Sequence, residues 1–416
     1  MTHSSAKAAP ETAPLGALDG IRVIDLTQML AGPYGTMMLA DQGAEVIKVE
    51  PVGGEGTRLV GPHQPDDTLK AYGGYFASIN RNKKSIELDL KSAEGKAVFL
   101  RLCRSADVVV ENFRAGVMEK LGLSYETLRK ENPRLVYAAI RGFGDPRTGR
   151  SPYMNWPAYD PVAQAMGGIM GITGPDPDTP LKIGPGVGDI VPAMLMAYGV
   201  TCAVIRAQKT GEGQYVDVSM VDSILALCER IVYQHSIQGV IPGPEGNRHP
   251  LLAPFGMLRA RDGWVTIAAH TDEFWKILCR VMGREDLITD PRTAERAARL
   301  ANSDVVYDAV GAFTGRHTKQ ELKELLGAKI PFGPVYRIDE IAEDPHFAIR
   351  EMIVEVEQPG CPTPISIAGV PVRMTGTPGG VRHRAPLAGE NSEEILRSIG
   401  CSADEIASLR AAKVTG

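Results

Sequence analysis

The sequence predicts an α/β protein: a large, doubly wound, Rossmann-like domain built on a parallel sheet, and a smaller α/β domain after it. Three observations carry this. Short β-branched runs alternate with helix-period segments through roughly the first half of the chain. A cluster of Pro and Gly, "GVIPGPEGNRHPLLAPFG" at 239–256, interrupts that alternation as a linker does. The 416 residues exceed what one core ordinarily holds, which makes two domains the default.

The elements follow in order. "MTHSSAKAAPETAP" (1–14) is small and polar, without the apolar centre of a signal peptide, and is expected to be a disordered tail. "IRVIDL" (21–26) is a strand, "AGPYGTMMLADQGA" has helical spacing, and "EVIKVE" (45–50) is a second strand. Together they make a βαβ unit, which begins a parallel sheet. "SIELDL" (85–90) alternates as a strand, and "SAEGKAVFLRLCRSA" is a helix capped by Ser92. "DVVVEN" (107–112) is a fully buried strand by its continuous apolar run, and "LVYAAIRGFG" (135–144) is a strand ending in a glycine-bearing loop. The run "VPAMLMAYGVTCAVI" from Val191 is shorter than the ~20 residues a membrane span needs, so a buried helix is expected. Past the linker, "GWVTIAAH" is a strand, "TDEFWKILCRVMG" and "TKQELKELLG" are amphipathic helices, and "ENSEEILRSIG" is a helix near the end.

Composition narrows the function classes. Apolar residues make up 44% and charged residues 23%, as in soluble globular proteins. A net charge of −5 with scattered Lys and Arg leaves no footprint for nucleic acid or a membrane surface. The six cysteines (Cys103, Cys202, Cys228, Cys279, Cys361, Cys401) form no C-x-x-C pair, and the eight histidines no H-x-x-H pattern. No metal site is therefore expected, and the cysteine usage fits a reducing cytoplasm.

The stretch "KIGPGVGDIVPAM" (182–194) sets three glycines two apart before Asp189 and an apolar helix. A dinucleotide fingerprint requires G-x-G-x-x-G after a strand. Neither Gly32 and Gly35 in the first βα turn nor Gly184, Gly186 and Gly188 complete it, and an Asp would repel a pyrophosphate. There is no G-x-x-x-x-G-K-[ST] and no G-x-S-x-G, so a P-loop and the common serine hydrolase elbow are excluded. A lone carboxylate in a glycine-lined loop remains. Ionised at neutral pH, it can attack an activated carbonyl without a proton transfer. The N–H groups of Gly186 and Gly188, or those at the helix start, would then stabilise the oxyanion. Alternatively, Asp189 is a helix N-cap.

Several segments together resemble the class III CoA-transferases, the formyl-CoA and carnitine–CoA transferase family. They are "LDGIRVIDLTQMLAGPYGTMMLADQGAEVIKVEP", "SINRNKKSIELDLK", "DVVVENFRAGVMEKLGL", "YAAIRGFG", "AYDPVAQAMGG", "GVGDIVPAM" and "KTGEGQYVDVSM", in the family's order and over nearly the whole chain. The resemblance implies that Asp189 is the nucleophile, carrying CoA as an aspartyl thioester, and that CoA and acyl-CoA are substrates with no permanently bound cofactor. It implies that Leu30 and Ala31 line the CoA entrance. Lys83, Asn112, Phe113 and Lys120 would hold adenine and phosphates, Arg141 and Gly142 would meet the pantetheine or pyrophosphate, and Arg58 is a further cation. It also implies an interlocked homodimer, with a related second subunit as the alternative. The expected boundaries are 15–230 for the large domain, 231–344 for the small one with its linkers, and 345–416 for a C-terminal segment returning to the large domain.

The sequence departs from the family in places. Pro51 stands where relatives often carry a basic residue, and "GNRHPLLAPFGML" lacks the glycine run of the formyl-CoA:oxalate enzymes, so oxalate is not expected as acceptor. "APFG" (253–256) is expected to shape the acyl pocket. The α-methylacyl-CoA racemases, which resemble the chain next best, need a His before the Asp of "YDPVAQ"; here Tyr159 precedes Asp160, and a phenol is a poor base at neutral pH. A catalytically idle CoA-binding subunit is the other alternative, against which Asp189 argues. In overall texture the chain most resembles members using succinyl-CoA and dicarboxylic acids. Arg248 or His249 would meet a distal carboxylate, unless both are exposed linker residues.

Overall fold

The computed structural model describes residues 16–416, so the expected N-terminal tail lies outside the described residues. Six parallel strands stand in the order β3-β2-β1-β4-β5-β6: β1 (Arg22–Asp25), β2 (Glu45–Glu50), β3 (Lys83–Glu87), β4 (Val108–Glu111), β5 (Val136–Arg141) and β6 (Tyr215–Ser219). Ile24 lies opposite Ile47 on one side and Val109 on the other, and all three are completely buried. Burial on both faces is why these strands read as nearly continuous apolar runs. β3 begins two residues before its alternating pattern, where Lys83 and Lys84 pair with Val46 and Ile47 of β2. The edge strand β6 was not assigned from the sequence; its Tyr215, Val216 and Asp217 are only half-buried.

Helices α1 (Ala31–Asp41), α2 (Gly74–Ile79), α3 (Ala93–Arg104), α4 (Val117–Lys120), α5 (Tyr125–Glu131), α6 (Asp160–Met166) and α7 (Val187–Thr210) accompany the sheet. Ser92 caps α3 as expected, its hydroxyl accepting the Gly95 N–H at 3.0 Å. α7 has 24 residues and is long and apolar enough to cross a membrane by length and composition. It exceeds the expected apolar run because Val187–Ile190 extend it at the start and a polar stretch ending at Thr210 extends it at the end. α7 packs against α1, β5 and β6, burying Met196, Val200, Ala203 and Val204.

The chain divides into two units. One takes the residues up to Ile169 together with Ile183–Glu229 and Pro345–Gly416; the other takes Met170–Lys182 and Arg230–Asp344. The first contains the parallel sheet and a hairpin of β11 (Ile353–Val356) and β12 (Ile365–Ala368). Near its end Ile395, Leu396, Ile406, Leu409 and Val414 join the same core as Ile47, Ile86, Phe99 and Leu102. The second unit has an antiparallel sheet in the order β10-β9-β8-β7, with β7 Arg248–His249, β8 Leu252–Ala260, β9 Gly263–Ile267 and β10 Phe332–Pro334. The two expected amphipathic helices, Asp272–Met282 and Lys319–Leu326, bury Trp275, Leu278, Leu322 and Leu326 in its core.

Candidate active site

In a doubly wound sheet, ligands bind outside the carboxyl ends of the strands where strand order reverses. That reversal falls between β1 and β4. A cavity of about 340 Å³ lies there, walled by the loops after β1 (Gln28, Met29, Ala31), β4 (Asn112, Phe113, Arg114, Ala115) and β5 (Ile140, Arg141, Gly142). Met154–Tyr159, Asp189 and Met220 complete it.

The two loops at the reversal are tied together. The Asn112 carboxamide accepts the Gln28 N–H at 2.9 Å and donates to the Gln28 carbonyl at 2.7 Å. Next to this clamp Met29 has φ +66°, an unfavourable conformation for a non-glycine residue that the surroundings must enforce. Asn112 thus reaches the cavity, but its side chain serves the backbone of the facing loop. Phe113 lines the wall, its N–H held by the Glu111 carboxylate at 2.7 Å.

Asp189 is half-buried, third in α7, and lines the cavity. It is not the N-cap, which is Gly186. The expected oxyanion role of the Gly188 N–H is not met either, because that group donates to the Asp160 carboxylate at 2.9 Å. The N–H groups of Asp189 and Ile190 both turn back to the Gly186 carbonyl. An acid in the first turn of a long helix lies in the favourable end of its dipole. Burial, followed by the charges of Asp189 and Glu55, pushes the nearby Tyr75 phenol up to about 12.

Other residues singled out from the sequence fall into two sets. Ala31, Asn112, Phe113, Arg141, Gly142 and Asp189 come together at the cavity. Leu30, Arg58, Lys83 and Lys120 do not. Leu30 packs on the turn before α7, where a Cβ on Gly186 would meet its Cδ2 at 3.1 Å. Lys120 is exposed at the end of α4. The Arg58 guanidinium is buried over the Phe76 ring and grips both Glu50 oxygens, at 2.7 and 2.5 Å.

Lys83 donates to Asp25 (2.9 Å), the Pro33 carbonyl (3.0 Å) and Asn80 (2.9 Å). An ammonium has three N–H groups, so none is left for a phosphate. Burial, only partly offset by Asp25, brings Lys83 down to about 8. Burial would raise the Asp25 carboxyl, but Lys83, Lys48 and the Thr27 and Thr36 hydroxyls outweigh it and hold it at about 2. Arg141 is likewise committed, to Glu111 at 2.6 Å and to Asp145. At Gly142 a Cβ would lie 2.3 Å from that of Ala158, which explains the glycine.

Among the cavity residues that sequence reasoning missed are Gln28, Arg114 and Trp156. Arg114 is exposed, and its guanidinium makes no ion pair among the described residues. The signal for it was present, one residue past Phe113. Trp156 packs against Tyr153 with ring centres 4.7 Å apart and planes tilted by 56°, and it is 56% exposed, an unusual position for a large aromatic. In the second unit, Arg248 pairs with Asp304 at 2.6 Å over the Tyr307 ring, and the His249 ring packs on Phe255.

Comparison with known proteins gives the family. The model of "CoA-transferase family III" matches residues 18–392. A succinyl-CoA:mesaconate CoA-transferase of Haloarcula hispanica is 49% identical over 93% of this chain and 97% of its own length. An acetyl-CoA:oxalate CoA-transferase of Acetobacter aceti is 41% identical over 88% and 93%. The crystal structure of a CAIB/BAIF family protein from Brucella suis superposes with a TM-score of 0.81 at 33% identity, over 92% of this chain and 99% of that one. A family match of this extent, with a single carboxylate presented at the switch point of the sheet, establishes that the chain belongs to CoA-transferase family III.

Proposed function

We propose that the protein moves CoA from succinyl-CoA to a dicarboxylic acid, with Asp189 as covalent carrier. The observation that carries this is Asp189 on the wall of the switch-point cavity. Its carboxylate attacks the thioester carbonyl; the C–S bond breaks, CoA leaves as thiolate, and an aspartyl–succinyl anhydride remains. The thiolate attacks the aspartyl carbonyl, succinate leaves, and an aspartyl-CoA thioester forms. The acceptor carboxylate then repeats both steps in reverse, regenerating Asp189. Thioester energy is retained and no net proton moves, so catalysis rests on positioning and the exclusion of water.

Ala31, Asn112, Phe113 and Gly142 form the wall along which the pantetheine arm would lie. Arg114 is the cation at hand for a phosphate, since Arg58 and Lys83 are committed inside the fold. The substrates named for the mesaconate and oxalate relatives support a dicarboxylate acceptor. The exposed apolar face of α7, with Met194, Leu195, Tyr198 and Ile205, supports a homodimer, or pairing with a related subunit. Six free cysteines among the described residues fit a cytoplasmic enzyme.

The test is quenched mass spectrometry after mixing with succinyl-CoA. A CoA-sized adduct on the Asp189 peptide, absent in Asp189→Ala and discharged by dicarboxylic acids, is expected. An Asp189→Ala enzyme that still transfers CoA would remove the proposal.

A further inference from the structure

One polar side chain lies wholly buried beneath the segment that delivers Asp189. Gln164, in α6, is 0% exposed, and both ends of its carboxamide are engaged. Nε2 donates to the Asp160 carboxylate at 2.8 and 3.1 Å, and Oε1 accepts the Ile183 N–H at 3.0 Å. The same Asp160 carboxylate accepts the Gly188 N–H at 2.9 Å. Two side chains one turn apart in α6 therefore hold the segment 183–188 at both its ends, and Asp189 is the next residue.

That segment needs holding. Gly184, Gly186 and Gly188 give it more backbone freedom than any other residue type would. Gly188 cannot be exchanged for a stiffer residue, because a Cβ there would lie 2.5 Å from the Asp160 carbonyl. A buried amide with all its partners satisfied fixes geometry in a way a Leu or Met of similar volume does not.

We infer that Gln164 is a positioning residue of the transferase reaction. It sets the 183–188 segment against α6 and so holds the Asp189 carboxylate at attack distance. The inference rests on Asp189 being the nucleophile. Gln164 does not line the cavity, so its loss leaves acyl-CoA binding in place and lowers the rate of attack. A displacement of about 1 Å can cost on the order of 10²-fold in rate.

The experiment compares full-length Gln164→Leu and Gln164→Glu with wild type, reading kcat, KM for succinyl-CoA and the quenched CoA adduct from pH 5.5 to 8.5. In Gln164→Leu, kcat is expected to fall by about 10- to 100-fold, with KM within about threefold of wild type. In Gln164→Glu two carboxyl groups face each other and must share a proton. At pH 8.5 they repel and the clamp opens. Near pH 5.5 an O–H replaces the lost N–H donor to Asp160, and at least a tenfold recovery relative to wild type is expected. A structural role alone would not give that pH-dependent rescue. If Gln164→Leu does not fold, Gln164→Glu decides. A kcat within twofold of wild type in both, a loss confined to KM, or a pH-independent ratio in Gln164→Glu overturns the inference. Transfer surviving in Asp189→Asn would instead remove the nucleophile itself, whatever the Gln164 variants do.

Discussion

Replacing Asn112 by Ala separates a ligand contact from a structural clamp at the switch point. Two hydrogen bonds to the Gln28 peptide are lost, at 2.9 and 2.7 Å. Each contributes about 1 kcal/mol net, and water reaching the half-buried site takes over part of the orphaned N–H and C=O. The expected destabilisation is about 2 kcal/mol. In a unit of this size it lowers the melting temperature by about 3 °C. The strained turn at Met29, φ +66°, loses the contact that anchors it, so KM for succinyl-CoA rises as well. Calorimetry and steady-state kinetics on the same preparation read both quantities. An unchanged melting temperature with a raised KM would refute the clamp and return Asn112 to the role of holding adenine.

Gly142→Ala places a methyl 2.3 Å from that of Ala158; overpacking of this kind costs about 1–3 kcal/mol. Transferase activity should fall, and Ala158→Gly in the same chain should recover most of it; a double variant no better than the single one would show that the clash is not the cause. Asp25, held at about 2 against an ordinary 3.8, binds its proton less readily folded than unfolded. Its contribution is therefore complete above pH 4 and lost as pH falls toward 2, a decline worth about 2 kcal/mol. Urea unfolding between pH 5 and 2 should show this decline in wild type and a shallower one in Asp25→Asn; parallel slopes would falsify the assignment.

The parts of the fold most legible in the sequence are those where one face or both are buried. β1, β2 and β4 stood out as apolar runs, and α3 was marked by its Ser92 cap. Asp189 was legible as a chemical oddity, but only its neighbouring segments separated the cap from the nucleophile, and the structure gives the cap to Gly186. Charge partners across the sheet were not legible. "NRNKKS" and "EGTR" present cations that look ready for phosphate, yet Lys83 meets a carboxylate 58 residues away in the chain and Arg58 one that lies 8 residues away. Pairing of that kind depends on strand order, which local pattern does not encode. The same holds for Asn112, whose partner is 84 residues distant, and for the Gly188 N–H, which Asp160 captures from 28 residues away.

The placement of the last residues has a consequence for how the chain matures. Ile395, Leu396, Ile406, Leu409 and Val414 complete the core that Ile47, Ile86 and Phe99 begin, and the Thr415 hydroxyl donates to the Glu87 carbonyl at 2.8 Å. During synthesis the unit of Met170–Lys182 and Arg230–Asp344 is fully emerged while the sheet that presents Asp189 still lacks part of its interior. The large unit's core is therefore completed only by residues synthesised after the whole of the other unit. The nascent large unit waits with an unfilled apolar face on β2 and β3, dependent on contacts of very long sequence separation. A chain released short of Ile395 would lack Ile395, Leu396, Ile406, Leu409 and Val414 from the core shared with Ile47, Ile86 and Phe99.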